Sequence, residues 1–455
     1  MKKFDLIIIG AGPGGYETAV HAAKSGMQVA IIEAKKPGGT CLNEGCIPTK
    51  CLCHSAEILD EAKEGETLGI HTEGISFNLA NAIARKDEVV AKLIAGIESL
   101  MKTPGITYIC GKARFSESHI VAVETDTKEL LMLEAPHIII ATGSIPKYLP
   151  IEGAHSPSVV SSTELLQMTS LPNRLCVIGG GVIGMEFASI FNSFGSEVCV
   201  VEFCKEILPN LDSDLSKRLR TSLKKKGITF NLGAAVTQII PQPNGSTQVV
   251  FQEKGKEKTI ETDLVLMAVG RTPNFADLDL EKAGITATPR GIVVDENLRT
   301  NVAGIYAIGD VNGICPLAHA ASFQGQKVLL DIEGKDSSKI NLNIIPSAVF
   351  TVPEFASVGL SEEACEAKGI SYTAHKSFYR ANGKALALGA DDGLAKILTD
   401  EEGHILGAHI LGAHSSDIIH EATMVMSMGG TIKDLTHTVH AHPTLSEILL
   451  EAARN

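Results

Sequence analysis

The sequence predicts an α/β fold, because a unit of strand, glycine-rich turn, helix and second strand occurs twice along the chain. The first unit covers residues 4–33 and the second covers residues 173–202. From about residue 344 strands alternate with glycine-rich turns and helices follow, without any nucleotide motif. We therefore predict two Rossmann-like dinucleotide-binding domains followed by a C-terminal α+β domain.

The glycines of each unit have separate tasks. The first permits the tight turn, the second lets a pyrophosphate approach the backbone, and the third lets helix and strand pack closely. The N-terminus of the next helix offers N–H groups to the phosphates, and the closing acid accepts hydrogen bonds from a ribose. Two units therefore predict two dinucleotides. The residues are Gly10, Gly12, Gly15 and Glu33 in the first unit and Gly179, Gly181, Gly184 and Glu202 in the second.

Glu202 also predicts the identity of the second dinucleotide. An acid at this position hydrogen-bonds the 2′-hydroxyl of NAD and repels the 2′-phosphate of NADP. Phe203 and Cys204 follow, so no arginine is offered to that phosphate. We expect NAD.

Two cysteines with four residues between them, Cys41 and Cys46, come shortly after the first unit closes. The short loop lets the two Cα atoms approach within the roughly 4.4–6.8 Å that a disulfide requires. A small strained loop of this kind tends to be reducible rather than structural. Because the preceding unit delivers its cofactor to the same sheet edge, the pair predicts a redox-active dithiol against a flavin.

Length and charge limit the classes of protein. With 455 residues the chain is expected to form two to four domains, since single cores stop growing near roughly 250–300 residues. The formal net charge of −13 gives no basis for a nucleic-acid partner. No apolar run approaches the roughly 20 residues of a membrane span, and the first run is too short for a signal peptide. We expect a cytoplasmic protein in which the cysteine pair is catalytic.

The segment GGTCLNEGCIPTK (residues 38–50) resembles the active-site signature of the pyridine nucleotide-disulfide oxidoreductases. Leu42, Asn43 and Ile47 resemble the dihydrolipoyl dehydrogenase branch more than glutathione or mercuric reductases. The resemblance covers essentially the whole chain. It includes the closing strands of two nucleotide domains, at 138–144 and 264–271, and a second FAD motif at 305–310.

The resemblance implies a homodimeric enzyme that oxidises protein-bound dihydrolipoamide to lipoamide. Electrons would pass through a Cys41–Cys46 disulfide and FAD, and a hydride would then pass to NAD+. Cys41 would be the interchange thiol, and Cys46 would face the flavin with a helix N-terminus just after it to stabilise a thiolate. The partners would be a lipoyl domain of an acyltransferase component or the glycine cleavage carrier protein. The lipoyl group is expected to come from another protein.

The string HAHPTLSE (residues 440–447) resembles the family's C-terminal signature. His442 would be the base that deprotonates the substrate thiol, because its unperturbed pKa near roughly 6.5 suits that task. Glu447 would orient its ring, and Pro443 would open the helix that carries Glu447. By the same resemblance His442 would serve the disulfide of the partner subunit.

The resemblance further implies a set of cofactor contacts, among which Lys50 would lie near flavin N5 with Glu186 as its partner. The other predicted contacts, beyond the glycines and acids named above, are Thr40, Ala113, Thr142, Gly143, Ser144, Val236, Gly270, Asp310, Pro316, Leu317, Ala318 and His319. No metal ligand is predicted. The predicted domains are 1–147 for FAD, 148–272 for NAD, 273–343 as a central domain completing the FAD site, and 344–455 for dimerisation.

Two features depart from the family pattern, and the cysteine content separates the chain from other classes of protein with this fold. Glu44 stands between the cysteines, where the family often has an apolar residue, and a carboxylate there would disfavour a thiolate. Cys51 and Cys53 are also unusual, but C-x4-C-x4-C-x-C is not a usual zinc spacing. A mercuric reductase would carry a C-terminal cysteine pair, which residues 451–455 do not contain. A transhydrogenase of this fold would lack the Cys41–Cys46 pair. A non-catalytic interaction protein would need none of the predicted catalytic residues.

Overall fold

The computed structural model describes residues 1–455. The helices are α1 (Pro13–Lys24), α2 (Gly39–Glu44), α3 (Cys46–Glu64), α4 (Leu79–Leu100), α5 (Ser162–Leu165), α6 (Val182–Phe194), α7 (Ser213–Lys225), α8 (Ala318–Ile332), α9 (Glu362–Lys368), α10 (Gly383–Ala387), α11 (Ser415–Ser427), α12 (Ile432–His437) and α13 (Glu447–Arg454).

The strands are β1 (Lys2–Lys3), β2 (Leu6–Ile9), β3 (Val29–Glu33), β4 (Ile106–Glu117), β5 (Ile120–Thr125), β6 (Leu130–Glu134), β7 (His137–Ile140), β8 (Ser144–Pro146), β9 (Val159–Val160), β10 (Arg174–Ile178), β11 (Glu197–Glu202), β12 (Thr229–Leu232), β13 (Ala234–Pro241), β14 (Thr247–Glu253), β15 (Lys256–Thr262), β16 (Leu264–Met267), β17 (Arg271–Pro273), β18 (Ala287–Thr288), β19 (Gly291–Ile292), β20 (Ile305–Ala307), β21 (Ser347–Val349), β22 (Glu354–Gly359), β23 (Thr373–Phe378), β24 (Leu394–Thr399) and β25 (Ile405–Gly412).

The chain divides into two compact units. The first comprises Met1–Thr49, Ala84–Lys147 and Arg271–Leu342, and the second comprises the remaining three segments. The first unit is built on an eight-stranded sheet in the order β1-β6-β5-β4-β3-β2-β7-β20. The strands from β4 to β20 in this order run parallel, whereas β5 pairs antiparallel with β4 and β6.

Strand β2 shows why the strands of this sheet are continuous apolar segments in the sequence. All four of its residues are buried. Leu6 and Ile8 belong to one hydrophobic cluster, and Ile7 and Ile9 belong to another. Successive side chains of a strand point to opposite faces, so both faces of the parallel sheet are packed, and its carboxyl edge leads into the first glycine turn.

The second unit contains a five-stranded parallel sheet in the order β12-β11-β10-β16-β9 and an antiparallel sheet of β13, β14 and β15. Strand β10 repeats the pattern of β2. Leu175 and Val177 pack in one cluster, and Cys176 and Ile178 pack in another. A third sheet, β21-β22-β25-β24-β23, is antiparallel throughout, and residues of α11 and α13 pack in its hydrophobic cluster.

Two local expectations can be compared with these bounds. Apolar residues recur in the sequence at Leu79, Ile83, Val90, Ile94, Ile97 and Met101, which predicts an amphipathic helix. Helix α4 occupies Leu79–Leu100, which confirms it. The expectation that Pro443 opens a helix is wrong, since α13 begins only at Glu447 and a loop precedes it. The four predicted domain limits stay predictions. No helix is long and apolar enough to cross a membrane.

Candidate active site

The first glycine turn, between β2 and α1, is closed by two glycines that tolerate no side chain. Gly10 has φ +107°, and a Cβ there would lie 2.4 Å from the carbonyl oxygen of Ala141. A Cβ on Gly15 would lie 1.9 Å from the oxygen of Gly10. The middle glycine differs, because a Cβ on Gly12 would meet only the Cα of Gly39, at 3.8 Å.

The second turn, between β10 and α6, repeats this geometry. Gly179 has φ +109°, and its Cβ would lie 2.4 Å from the oxygen of Ala268. A Cβ on Gly184 would lie 2.0 Å from the oxygen of Gly179, whereas one on Gly181 would meet nothing within 4 Å. Each turn therefore has tight outer glycines and an open middle one.

The residues present in both turns fit a dinucleotide. Gly12 and Gly181 are the N-cap residues of α1 and α6, and neither has a side chain to occupy the free N–H groups of its helix. Those N–H groups and the positive end of the helix dipole face the open space beside the middle glycine. A pyrophosphate fits there, which a side chain would exclude.

The closing acids are aimed at their turns. Glu33 Oε2 accepts a hydrogen bond from the N–H of Ala11 at 2.7 Å. Glu202 Oε2 accepts one from the N–H of Gly180, and its Oε1 accepts one from the N–H of Cys204 at 2.5 Å. Both carboxylates are thus oriented by the backbone at the carboxyl edge of their sheets.

The predicted redox pair lies at a junction of two helices in the first unit. Cys41 is in α2, Gly45 alone separates α2 from α3, and Cys46 is the first residue of α3. The Asn43 amide donates to the carbonyl oxygens of Pro37 and Gly39, both at 3.0 Å, which holds the loop. Because Cys46 begins a 19-residue helix, a thiolate there lies at the positive end of the dipole.

A partly buried chain of hydrogen bonds joins the predicted residues Ser144 and Asp310. Ser144 Oγ donates to Asp310 Oδ2 at 2.5 Å. Arg271 donates to Ser144 Oγ and to its carbonyl oxygen, each at 2.7 Å, and more weakly to Thr40 Oγ1 at 3.4 Å. Burial lowers the pKa of Arg271 against the raising effect of Asp310, Glu44 and Cys46. Arg271 was not among the predicted site residues, although it ends the apolar run at 264–271.

Thr142 and Gly143 lie beside the same segment. Thr142 Oγ1 donates to the carbonyl oxygen of Asn274 at 2.5 Å, and the N–H of Asn274 donates to the carbonyl oxygen of Gly143 at 2.9 Å. The pairing of β8 with β17 extends this contact. The structure thus brings residues 142–144 together with residues 271–274.

Lys50 and Glu186 form an ion pair in the second unit. Lys50 Nζ lies 2.9 Å and 3.0 Å from the two carboxylate oxygens of Glu186, which is almost fully buried. The N–H of Phe350 donates to Glu186 Oε1 at 3.0 Å, and Lys50 Nζ lies 4.2 Å from the centre of the Phe350 ring. The predicted pairing is present, and sequence reasoning missed Phe350 as its third member.

His442 and Glu447 also meet in the second unit. His442 Nδ1 lies 3.0 Å from Glu447 Oε1, and the N–H of Thr444 donates to Glu447 Oε2 at 2.8 Å. The Thr444 N–H and, second, His442 hold the pKa of Glu447 below its usual range. The His442 side chain is 79% exposed, so its second ring nitrogen is accessible. His440 Nε2 lies 3.1 Å from Glu421 Oε2 and its ring is buried, which suits a packing role.

The remaining predicted contacts are spread over both units. Ala113 lies on β4, Pro316 and Leu317 precede α8, and Ala318 and His319 begin that helix, whereas Val236 and Gly270 belong to the second unit. Of the unusual cysteines, Cys51 is buried. Cys53 donates to the carbonyl oxygen of Phe350 at 3.4 Å, and burial raises its pKa to about 12.

The chain is similar over nearly its whole length to known proteins. The family model described as pyridine nucleotide-disulphide oxidoreductase matches residues 4–325, and the dimerisation domain of that family matches residues 345–453. The chain is 40% identical over 456 residues to the dihydrolipoyl dehydrogenase of Chlamydia muridarum (strain MoPn / Nigg), covering 99% of this chain and 96% of that protein. It is 40% identical over 452 residues to the dihydrolipoyl dehydrogenase of Bacillus subtilis (strain 168), covering 99% and 95%.

A solved structure shares the fold. The Cu(II) complex of the HOCl-induced flavoprotein disulfide reductase RclA from Escherichia coli matches with a TM-score of 0.89 and 33% identity. The match covers 100% of this chain and 99% of that one.

Proposed function

Because this chain belongs to the pyridine nucleotide-disulphide oxidoreductases, we propose that it oxidises protein-bound dihydrolipoamide to lipoamide with NAD+ as the final acceptor. Relatives at 40% identity are named dihydrolipoyl dehydrogenase. The observation that carries the proposal is the pairing of His442 with Glu447 in a chain that has Cys41 in α2 and Cys46 at the start of α3.

His442 has the geometry of a base. Its Nδ1–H donates to Glu447, which fixes the ring and leaves Nε2 to take a proton from a dithiol. The resulting thiolate attacks Cys41, and the disulfide to Cys46 breaks. The second thiol of the substrate then attacks the first sulfur, releases Cys41 and passes its proton to the Cys41 sulfur. The substrate becomes a cyclic disulfide, and the two electrons remain on the enzyme as a dithiol.

Cys46 holds the negative charge that this exchange leaves behind. As the first residue of α3 it lies where unsatisfied backbone N–H groups stabilise a thiolate. When it is bound, FAD, the flavin of the family, would carry electrons from the dithiol to NAD+. Residues of the first turn with Ser144 and Asp310 would hold FAD, and residues of the second turn with Glu202 would hold NAD.

The match to a dimerisation domain supports a homodimer. We infer that His442 serves the cysteine pair of the partner subunit. The 79% exposure of the His442 side chain supports this inference, as does the 96% exposure of the apolar Val439 three residues earlier. We further propose that the substrate is carried on a lipoyl domain of an acyltransferase component or on the glycine cleavage carrier protein, in the cytoplasm.

The first test mixes the holoenzyme anaerobically with dihydrolipoamide and follows flavin absorbance, then adds NAD+ and follows NADH. We expect prompt NADH formation in the wild type and in Cys110→Ser, an exposed cysteine of the same unit. We expect none in Cys46→Ser. A flavin that stays oxidised with dihydrolipoamide, yet is bleached by NADH, would overturn the substrate assignment. Lipoyl domains from the two candidate carriers would then be compared with free dihydrolipoamide by kcat/KM.

A further inference from the structure

Glu44 lies between the two cysteines of the redox pair in the sequence. It is the last residue of α2, and Gly45 alone separates it from Cys46. Cys41 and Glu44 are three residues apart in one helix, a spacing that brings Cβ atoms to about 5–6 Å on the same face. This spacing places the Glu44 side chain on the same helix face as Cys41, two residues before Cys46.

The nearest cation compensates this charge only in part. Lys35 Nζ lies 3.6 Å from Glu44 Oε1, but the Lys35 side chain is 77% exposed and that of Glu44 is 29% exposed. Water and salt screen an exposed ammonium more than a partly buried carboxylate. The ion pair therefore offsets the charge of the Glu44 carboxylate only in part.

The second cation near the cysteine pair, Arg271, is hydrogen-bonded to Ser144. Both Glu44 and Cys46 act electrostatically on Arg271. The guanidinium of Arg271 donates to the hydroxyl and carbonyl of Ser144, and the same hydroxyl donates to the carboxylate of Asp310. Asp310 acts more strongly than Glu44 on Arg271, and the hydrogen bonds of Arg271 go to Ser144 and Thr40.

We propose that Glu44 is a redox-tuning residue, whose carboxylate favours the disulfide form of Cys41 and Cys46 over the dithiol form. The inference rests on the proposed function, in which the reduced pair carries a thiolate. The enzyme disulfide takes two electrons and two protons from a dithiol, which closes to a cyclic disulfide, and one proton then leaves as the thiolate forms. A nearby negative charge raises the free energy of that thiolate and leaves the uncharged disulfide unaffected. The couple of this chain is consequently more reducing than the same loop without the acid.

The test measures the couple directly. Holoenzyme is equilibrated anaerobically with reduced and oxidised dithiothreitol at a series of ratios and quenched in acid. The thiols of the peptide that carries both cysteines are then counted by alkylation and mass spectrometry. Glu44→Gln keeps the shape and removes the charge. We expect its equilibrium constant to move roughly 3- to 30-fold toward the dithiol, about 15–45 mV less negative for a two-electron couple.

Lys35→Met should shift the disulfide–dithiol equilibrium in the opposite direction to Glu44→Gln. Removing the ammonium should move the couple toward the disulfide, and this shift should shrink when Glu44→Gln is already present. Lys36→Met, at the exposed neighbouring lysine, is the matched control and should change nothing. A Glu44→Gln couple equal to wild type, or shifts of Glu44→Gln and Lys35→Met in the same direction, would overturn the proposal.

The two proposals fail differently. Dithiothreitol reports the cysteine couple whatever the natural substrate is. A shifted couple in an enzyme that makes no NADH from dihydrolipoamide would therefore remove the substrate and leave the role of Glu44 standing. Normal NADH formation with an unshifted couple would do the reverse.

Discussion

Glu33 and Glu202 accept equivalent backbone hydrogen bonds at equivalent places in two glycine turns. In each turn the N–H that follows the first glycine donates to Oε2 of the closing acid, from Ala11 to Glu33 at 2.7 Å and from Gly180 to Glu202. The internal repeat is thus a repeat of hydrogen bonding as well as of glycine positions. Each turn holds its carboxylate where a ribose is expected, which supports two dinucleotides on one chain.

Glu202 should control the choice of nicotinamide. In Glu202→Gln we expect KM for NAD+ to rise about tenfold, because a charge-assisted hydrogen bond is worth about 1.5–3 kcal/mol. Activity with NADP+ should improve relative to NAD+, since the repulsion of its phosphate is gone. Glu197→Gln, exposed at the other end of the same strand, is the control and should leave both constants unchanged. Equal discrimination in Glu202→Gln and wild type would place the selectivity elsewhere.

Gly181→Ala should separate binding from folding. The residue has φ −75° and ψ −177°, which alanine adopts freely, and its Cβ meets no protein atom within 4 Å. We expect wild-type stability and NAD+ affinity reduced at least about tenfold, since the methyl group occupies the place of the pyrophosphate. Affinity measured by calorimetry beside urea unfolding checks this.

Gly184→Ala is the contrasting variant. Its Cβ would lie 2.0 Å from a carbonyl oxygen, so the turn must move. We expect the free energy of unfolding to fall by about 1–3 kcal/mol, the usual cost of overpacking. A Gly181→Ala protein that binds NAD+ as the wild type does would contradict the assigned phosphate site.

Glu447→Gln should slow turnover without unfolding the protein. We expect kcat/KM at neutral pH to fall about 100-fold, the lower range for general acid–base catalysis, because His442 loses its orienting carboxylate. Glu451→Gln, one turn later on the same helix, is the matched control. Equal rates in the two variants would remove the orienting role.

The pH dependence of the loop follows from the lowered pKa of Glu447. A carboxylate whose folded pKa is depressed contributes above its ordinary value of about 4.3 and stops contributing as pH falls through the folded pKa. Hydrogen exchange at the N–H of Thr444 should therefore be slower in wild type than in Glu447→Gln at neutral pH. The difference should disappear only in acid below about pH 4.3. A difference that vanishes near neutral pH would contradict the hydrogen bond.

Lys396 should be essential for stability. Its side chain and that of Asp212 are 0% exposed, and Nζ lies 2.8 Å from Asp212 Oδ1 and 2.6 Å from Glu362 Oε2. In Lys396→Met a buried carboxylate loses its partner, for which we expect about 3–5 kcal/mol less free energy of unfolding. Lys376→Met, at a partly exposed lysine of the same sheet, should cost about 0–1 kcal/mol. Urea unfolding of both variants measures the difference.

The pKa of Lys396 gives the sign of a pH effect. Burial by itself lowers this pKa, but hydrogen bonds to Asp212 and Glu362 raise it overall. A raised lysine pKa contributes stability below its ordinary value of about 10.4, and that contribution is lost as pH rises through the folded pKa. The advantage of wild type over Lys396→Met should therefore persist across neutral pH and decline only in strong alkali.

Local patterns carried most of what could be predicted. The glycine turns, the amphipathic α4 and the Cys41–Cys46 spacing each depend on residues close together in the chain, so hydrophobic period and turn chemistry suffice to recognise them. The prediction that a helix begins at Pro443 was wrong, because a single local residue does not determine where a helix starts. Proline is compatible with a helix start but does not require one. Residues 442–446 form a loop, and Glu447, which contacts Thr444 and His442 of that loop, is the first residue of α13.

The sequence by itself determined the fold class, the two dinucleotide units and the candidate redox chemistry, because each depends on short-range order. Only the tertiary structure decided which charges meet. Lys396 reaches Asp212 and Glu362, and Glu44 pairs with the exposed Lys35. No periodicity records such partners, since they are brought together by the packing of distant segments. The burial that makes these charges important is a property of the folded chain alone.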